Sequence, residues 1–99
     1  MTVQINLTVN NVSIYLNHFV AGFIDLTVSG MIASLKGTEN IQELQLSLEG
    51  EKVTLNLNGS SIPVNEFVTK IIRSTLIGVV SVLHGVDQTV QNLQLEIRK

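Results

Sequence analysis

Residues 53–68 read VTLNLNGSSIPVNEFV and pass from a strand through a tight turn to the start of a helix. Apolar and polar residues alternate in the first five positions, which is typical of a strand with one buried face. Asn58-Gly59 tolerates the positive φ of a two-residue hairpin turn, and a short return strand is predicted over 60–64. Asn65 is then suited to accept a hydrogen bond from a free amide of the first helical turn.

Beyond Asn65 the apolar period changes to that of a helix, which is predicted to end at Gly85. The predicted buried face of this helix consists of Phe67, Val68, Ile71, Ile72, Leu76, Val79, Val80 and Leu83. A last strand carries Leu93, Leu95 and Ile97. The second half of the chain is therefore predicted to be a β-β-α-β unit.

The first half of the chain repeats this pattern at a shift of 48 residues, which becomes 49 after an insertion near Thr89. Between residues 5–48 and 53–97, 16 of 44 aligned positions are identical. Composition alone gives roughly four or five identities, and self-similarity at a fixed period indicates a repeated unit. The alternative is a chance likeness between two amphipathic stretches.

The repeat predicts the structure of the first half. Asn10-Asn11 is predicted to form its hairpin turn, and Asn17 to cap a helix that ends at Gly37. Residues 24–28 are rich in β-branched side chains and would also fit a strand, but their alignment with the second helix favours a helix. The predicted buried face of this first helix consists of Phe19, Val20, Phe23, Ile24, Val28, Met31, Ile32 and Leu35.

Half a chain of about 48 residues is too small to bury a core of its own, so the two halves are expected to share one. We predict a single domain over residues 1–99, made of two tandem repeats at about 1–49 and 50–99. The predicted fold class is α+β, with a six-stranded, largely antiparallel sheet, both helices on one face and a pseudo-twofold axis. The other face of the sheet is predicted to be solvated and carries Gln4, Asn6, Thr8, Gln45, Ser47, Thr54, Asn56, Gln94 and Glu96.

A resemblance to a known group of proteins rests on the hairpin and helix of the second half. The residues that carry it are NGSSIPVNEFV at 58–68, Ile71-Ile72, Gly78 and LHG at 83–85. They are similar to small uncharacterised prokaryotic proteins in which an Asn-Gly-x-x-Ile-Pro hairpin leads into an Asn-capped apolar helix. The first half departs from this pattern at Asn11 and Tyr15, where the pattern has Gly and Pro. The resemblance implies the hairpin-to-helix structure and no particular activity.

Composition excludes several classes of function. The 99 residues are 44% apolar and 14% charged, with a net charge of −2 and no cysteine. Without cysteine there is no disulfide framework, no thiolate zinc site and no thiol nucleophile. The acidic balance argues against nucleic-acid or anionic-membrane binding, which needs clustered Lys and Arg. Residues 1–9 lack the features of a signal peptide, and the apolar stretch 67–86 is interrupted by charges, so we predict a cytoplasmic protein without a membrane segment.

The chain shows no catalytic arrangement, and we predict neither enzyme activity nor a metal or cofactor. His18 and His84 are expected to be surface or helix-capping residues, because no further ligands accompany them at regular spacing. No two carboxylates are placed for general acid and base catalysis. Asp25 and Arg73 occupy equivalent outward positions, and one hypothesis is that they pair across the helix interface.

Gly30 and Gly78 occupy equivalent positions in the middle of the two helices. Glycine in a helix costs about 1 kcal/mol relative to alanine, so we predict an offsetting close contact between the two helix backbones. The alternatives are a relic without current use and a surface that a partner or ligand approaches.

Apolar residues outside the main helical stripes predict a surface that another chain covers. They are Leu26, Ala33, Ile77, Val82 and Val86. A homodimer that covers the helices is the expected form, and a swapped or sheet-edge dimer is the alternative. The leading hypothesis is a non-enzymatic interaction protein that acts through self-association or a protein partner. The second hypothesis is a binding module for a small apolar ligand, with a pocket between the helices and the sheet.

Overall fold

The computed structural model describes residues 4–36, 41–83 and 90–99. In chain order its elements are β1 (Gln4–Val9), β2 (Val12–Ile14), α1 (His18–Lys36), β3 (Glu43–Glu49), β4 (Lys52–Leu57), β5 (Ser60–Ser61), α2 (Glu66–Val80) and β6 (Asn92–Arg98). The first helix forms despite its β-branched residues. The second helix ends earlier than predicted, with Ser81 as its C-cap. Gly37 and Gly85, the predicted helix ends, lie outside the described residues.

The eight elements form a two-layer α+β fold, as the sequence predicts. The strand order in the six-stranded sheet is β2-β1-β6-β3-β4-β5, and every neighbouring pair is antiparallel. The order is symmetric about the central pair, in which Leu46 of β3 lies opposite Leu95 of β6. This pairing joins residues that are equivalent in the predicted repeat. The internal duplication itself remains a prediction from the sequence.

Both helices cover the same face of the sheet. Ile24, Val28 and Ile32 of α1 enter the core, and so do Ile72, Leu76 and Val80 of α2. They pack against the inward side chains of the strands, Leu7, Val9, Ile14, Leu44, Leu46, Leu48, Val53, Leu55, Leu57, Leu93, Leu95 and Ile97. The polar residues predicted for the opposite face are all exposed or half-buried, which confirms that this face is solvated.

The two hairpin turns have the predicted left-handed backbone. The φ angles are 51° at Asn10 and 66° at Asn11, and 51° at Asn58 and 85° at Gly59. Positive φ at both central residues is the geometry of a type I′ turn, whose twist matches that of the flanking strands. The two asparagine N-caps are confirmed as well, because Asn17 Oδ1 accepts from the amide of Val20 and Asn65 Oδ1 from that of Val68, both at 2.8 Å.

The first asparagine of each turn also fastens the hairpin to the next strand of the sheet. Asn58 Oδ1 accepts hydrogen bonds from the amides of Gln42 at 2.9 Å and Glu43 at 3.0 Å, at the start of β3. Asn10 Oδ1 accepts in the same way at the start of β6, from Gln91 at 2.7 Å and Asn92 at 3.1 Å. Each asparagine therefore stabilises both a turn and an inter-strand junction.

Substitution of Asn58 separates these two contributions. Asn58→Gly keeps the left-handed turn but removes the acceptor of two amides, and we expect it to lower the free energy of unfolding by about 1–2 kcal/mol. Asn58→Ala should cost about 1 kcal/mol more, because a β-carbon disfavours positive φ. Urea denaturation measures both values. Asn11→Gly, the same change at the second position of the first turn, which also has positive φ, is the control and should change stability by less than about 0.5 kcal/mol. Equal losses of unfolding free energy for Asn58→Gly and Asn11→Gly would refute a stabilising role for the hydrogen bonds that the Asn58 side chain accepts.

Candidate functional site

The candidate site is the outer face of the helix layer, on which large apolar side chains are exposed. We call it the helix surface, and it consists of Phe19, Phe23, Leu26, Leu35, Phe67, Ile71 and Val82. Phe19, Leu26 and Phe67 are 77%, 76% and 69% exposed. Contiguous apolar patches on a monomer mark sites of interaction more often than isolated apolar residues do.

Five of these residues were predicted to be buried, and that prediction is wrong. They are Phe19, Phe23, Leu35, Phe67 and Ile71. A helix on a sheet buries one narrow stripe, and in α1 this stripe is Ile24, Val28 and Ile32. Because α1 is apolar on nearly every side, its sequence does not fix which stripe faces the sheet.

Of the five predicted interface residues, Leu26, Ala33 and Val82 are exposed. Ile77 is half-buried and packs against the core, so it is a weaker candidate for a contact with another chain. Val86 lies outside the described residues.

Gly30 and Gly78 do not bring the two helices together. A β-carbon added at either position would meet nothing within 4 Å in the described part of the chain, and both residues are exposed. The predicted contact between the helix backbones at these glycines is therefore wrong. The outer sides of both helices are open at these positions, so another chain has room to approach them.

The carboxylate of Asp25, on one side of α1, is paired with Lys99. Asp25 is the only charged residue between positions 19 and 35. Its Oδ1 lies 3.3 Å from Lys99 Nζ and accepts from Ser29 Oγ at 3.2 Å. The side chains of Asp25 and Lys99 are only 17% and 27% exposed. Between residues 19 and 35, α1 therefore has no unpaired charge.

The hypothesis that Asp25 pairs with Arg73 is wrong. Arg73 Nε donates instead to the backbone carbonyl of Gly50 at 2.9 Å. The two residues still have related roles, because each connects its helix to the end of a strand: Asp25 reaches Lys99 after β6, and Arg73 reaches Gly50 after β3.

Loss of the Asp25 charge should weaken this connection. We expect Asp25→Asn to lower the free energy of unfolding by about 1 kcal/mol at low salt, because Lys99 loses its partner in a partly buried position. The loss should shrink at high salt. Lys70→Gln is the control: the ion pair of Lys70 with Glu66, at 3.3 Å, is largely exposed, so its loss should leave the free energy of unfolding nearly unchanged. Similar losses for both variants would show that Asp25 has no special role.

An apolar groove of about 270 Å³ opens between the two helices. It is lined by Met31, Ser34, Leu35, Phe67, Val68, Ile71 and Ile72. The C-terminal part of α1 and the N-terminal part of α2 form the two sides of this groove. The groove opens outward between the helices, whereas the sequence predicted a pocket between the helices and the sheet.

Two further depressions are polar. One, of about 370 Å³, lies on the solvated sheet face among Asn6, Thr8, Gln45, Leu46, Ser47, Gln94, Leu95 and Glu96. The other, of about 310 Å³, is lined by Glu51, Glu66, Thr69, Lys70, Arg73 and Ser74. Within residues 4–36, 41–83 and 90–99 no three His, Asp or Glu side chains converge as metal ligands would. His18 is exposed, and His84 lies outside the described residues.

In the part of the chain that the structure describes, one helix is long and apolar enough to cross a membrane, judged by length and composition only. Its segment His18–Leu35 has a mean hydropathy of 1.5, and 17% of it is buried. The apolar stretch 67–86, which contains most of α2, is interrupted by charges, whereas between residues 19 and 35 α1 has only the charge of Asp25. In the fold, α1 lies on the sheet and contributes Ile24, Val28 and Ile32 to the core.

No protein-family model matches this sequence, and no curated protein or solved structure is significantly similar to it. A functional inference therefore rests on the helix surface, the groove and the distribution of charge.

Proposed function

We propose that this protein is a non-enzymatic, cytoplasmic interaction protein that self-associates as a homodimer through the helix surface. The observation that carries the proposal is the concentration of exposed apolar side chains on one layer. Seven of the nine exposed large apolar residues in the described part of the chain belong to the helix surface. The hydrophobic effect favours removing such a surface from water.

The size of the helix surface fits a dimer interface. The three phenylalanines are 77%, 49% and 69% exposed, so at about 150–250 Å² for a whole aromatic side chain they present roughly 300–500 Å², to which the four aliphatic residues add. A stable interface of standard size buries about 800 Å² on each partner. The helix surface and its margin are therefore large enough for a second chain.

The distribution of charge favours a second copy over a different protein. In a twofold dimer the same surface of both copies meets at the axis. An unpaired charge near the axis would therefore lie close to the identical charge of the second copy and be repelled by it. The helix surface on α1 has no such charge, since Asp25 is paired with Lys99. A surface that selects a different protein usually has complementary charges, which steer the encounter.

The two helices differ in a way that places α1 at the centre of the interface. Along its outer side α1 has Gly22, Leu26 and Ala33, whereas the equivalent positions of α2 are Lys70, Ser74 and Ser81. An interface typically has an apolar centre and a polar rim. We therefore assign the centre to α1 and the rim to α2.

The sheet edges are poorer candidates for self-association. The edge strands β2 and β5 have three and two residues. Short edge strands offer few unpaired backbone groups to another chain.

Light scattering of the purified protein, followed by native mass spectrometry, tests the proposal. We expect a dimer without a bound small molecule. A monomer at concentrations up to about 1 mM would contradict self-association. In that case, retention of the monomer on liposomes of neutral lipid would show that the helix surface contacts a membrane.

The groove favours a second candidate function, the binding of a small apolar ligand. Its lining is almost entirely apolar, and pockets for such ligands have this character. Native mass spectrometry distinguishes the two functions, because a monomer with a stoichiometric adduct would support the ligand and contradict the dimer.

A further inference from the structure

We propose that the Phe19–Phe23 pair of one copy fills the groove between α1 and α2 of the second copy. This inference rests on the proposed homodimer and defines its geometry. It assigns a specific occupant to the groove, and it makes the two α1 helices cross in antiparallel orientation.

The two phenylalanines form one protruding unit at the N-terminal end of α1. Their rings are stacked, with centroids 6.5 Å apart and planes inclined by 19°. Both rings are exposed in the single chain. Large aromatic side chains of this kind are the usual anchors of protein interfaces, where they enter apolar pockets of the partner.

The groove near the C-terminal end of α1 is apolar and therefore suited to bind the two phenylalanine rings. Its walls are aliphatic and aromatic, and Ser34 contributes the one hydroxyl among the lining residues. Its floor reaches Ile72, a core residue that is 1% exposed. An aromatic ring placed here would extend the core of the partner.

The positions of the protrusion and the groove agree with twofold symmetry. In a twofold dimer, residue i contacts residue j of the partner, and j contacts i. Along α1 the centre of the Phe19–Phe23 pair and the centre of the groove wall at 31–35 are about 18 Å apart, at about 1.5 Å per residue. A twofold axis that exchanges them would pass midway between them, near Leu26 and Gly30. Leu26 is 76% exposed, and a β-carbon on Gly30 would meet nothing within 4 Å. The partner helix can therefore approach at the very place where the symmetry requires it.

Disulfide trapping tests this geometry directly, because the natural chain has no cysteine. Gly22→Cys and Ala33→Cys, both at exposed positions on the outer side of α1, are introduced together, which leaves Phe19 and Phe23 in place. Within one helix these positions are about 16 Å apart, too far for a disulfide inside the chain. We expect mild oxidation to give a covalently linked dimer of the double variant, and at most a trace of one with either single variant. Efficient linkage of Gly22→Cys alone would indicate parallel α1 helices and overturn the proposal.

Removal of the aromatic pair gives a second measurement. Phe19→Ala combined with Phe23→Ala should raise the Kd of the dimer by about 100-fold or more, since anchor residues carry most of the binding energy. Tyr15→Ala is the matched control: it removes an aromatic side chain that is 87% exposed just before α1, and it should change Kd by less than about threefold.

The outcomes separate this inference from the proposed function. A wild-type monomer would overturn both. A wild-type dimer that is neither trapped by the two cysteines nor weakened by loss of the two phenylalanines would overturn only the placement of the aromatic pair. Circular dichroism of each variant shows that it retains the fold, as expected for substitutions at exposed positions.

Discussion

Leu26→Asp is expected to convert the dimer into a monomer, with an increase of at least about 100-fold in Kd. The substitution places a carboxylate in the apolar centre of the interface, where it loses its hydration without gaining a partner. Because Leu26 lies close to the proposed axis, each new carboxylate would also face its own copy. Sedimentation equilibrium over a range of protein concentrations measures the change.

Gln94→Glu is the matched control for this prediction. It adds the same charge with almost no change of shape, on the solvated sheet face opposite the helices, where Gln94 is exposed. We expect its Kd to stay within about twofold of the natural value. Equal dissociation of both variants would indicate a general effect of net charge, and a stable Leu26→Asp dimer would place the interface elsewhere. Leu26 is largely exposed in the single chain, so the variant should remain folded.

Leu95→Ala should have the largest effect on stability, a decrease of about 3–4 kcal/mol in the free energy of unfolding. Leu95 lies on the central strand β6, opposite Leu7 of β1 and Leu46 of β3. It is 2% exposed, in a core formed by both layers. Truncation there removes apolar contacts and leaves a cavity that the surrounding strands cannot readily close.

Thermal or urea denaturation at a fixed protein concentration measures this loss. The concentration must be fixed because dimerisation adds to apparent stability. Gln94→Ala changes the neighbouring residue, which points to the solvated face, and should cost less than about 0.5 kcal/mol. A loss below about 1 kcal/mol for Leu95→Ala would mean that the centre of the sheet is not tightly packed.

The local structure could be predicted from the sequence because its causes lie within a few residues. Asn10-Asn11 and Asn58-Gly59 tolerate positive φ better than most residue pairs, and both form the predicted turns. Asn17 and Asn65 cap the helices through bonds to amides three residues ahead. Strict alternation in the strands likewise determined which face of the sheet is solvated.

Contacts between distant residues could not be predicted in the same way. The sequence placed Asp25 and Arg73 at equivalent positions of opposite charge, but their partners are Lys99 and Gly50. Gly30 and Gly78 suggested a meeting of the helices, and the structure leaves both open. Such contacts depend on the separation and tilt of packed elements, which no local spacing encodes.

The candidate site was foreseen only in part, and the reason lies in the composition of α1. Surplus apolar residues on the helices predicted a surface for another chain, and Leu26, Ala33 and Val82 are indeed exposed. The aromatic residues of that surface were predicted to be buried instead. The spacing of Phe19, Phe23, Ile24 and Val28 fits one broad apolar face of a helix, so the spacing alone does not separate the exposed phenylalanines from the buried aliphatic residues. The groove, which needs both helices in place, left no signal in the sequence.

By itself the sequence determined the elements, the turns that join them, the α+β class and the polarity of the sheet. These follow from local hydrogen bonding, backbone preference and a period of two in the strands. Only the tertiary structure decided the strand order, with β6 and β3 at the centre, and the rotation of each helix about its axis. An amphipathic strand has one apolar face and therefore one orientation, whereas a helix that is apolar nearly all round has several. Packing against the sheet selects the stripe of Ile24, Val28 and Ile32, and by doing so turns the phenylalanines outward.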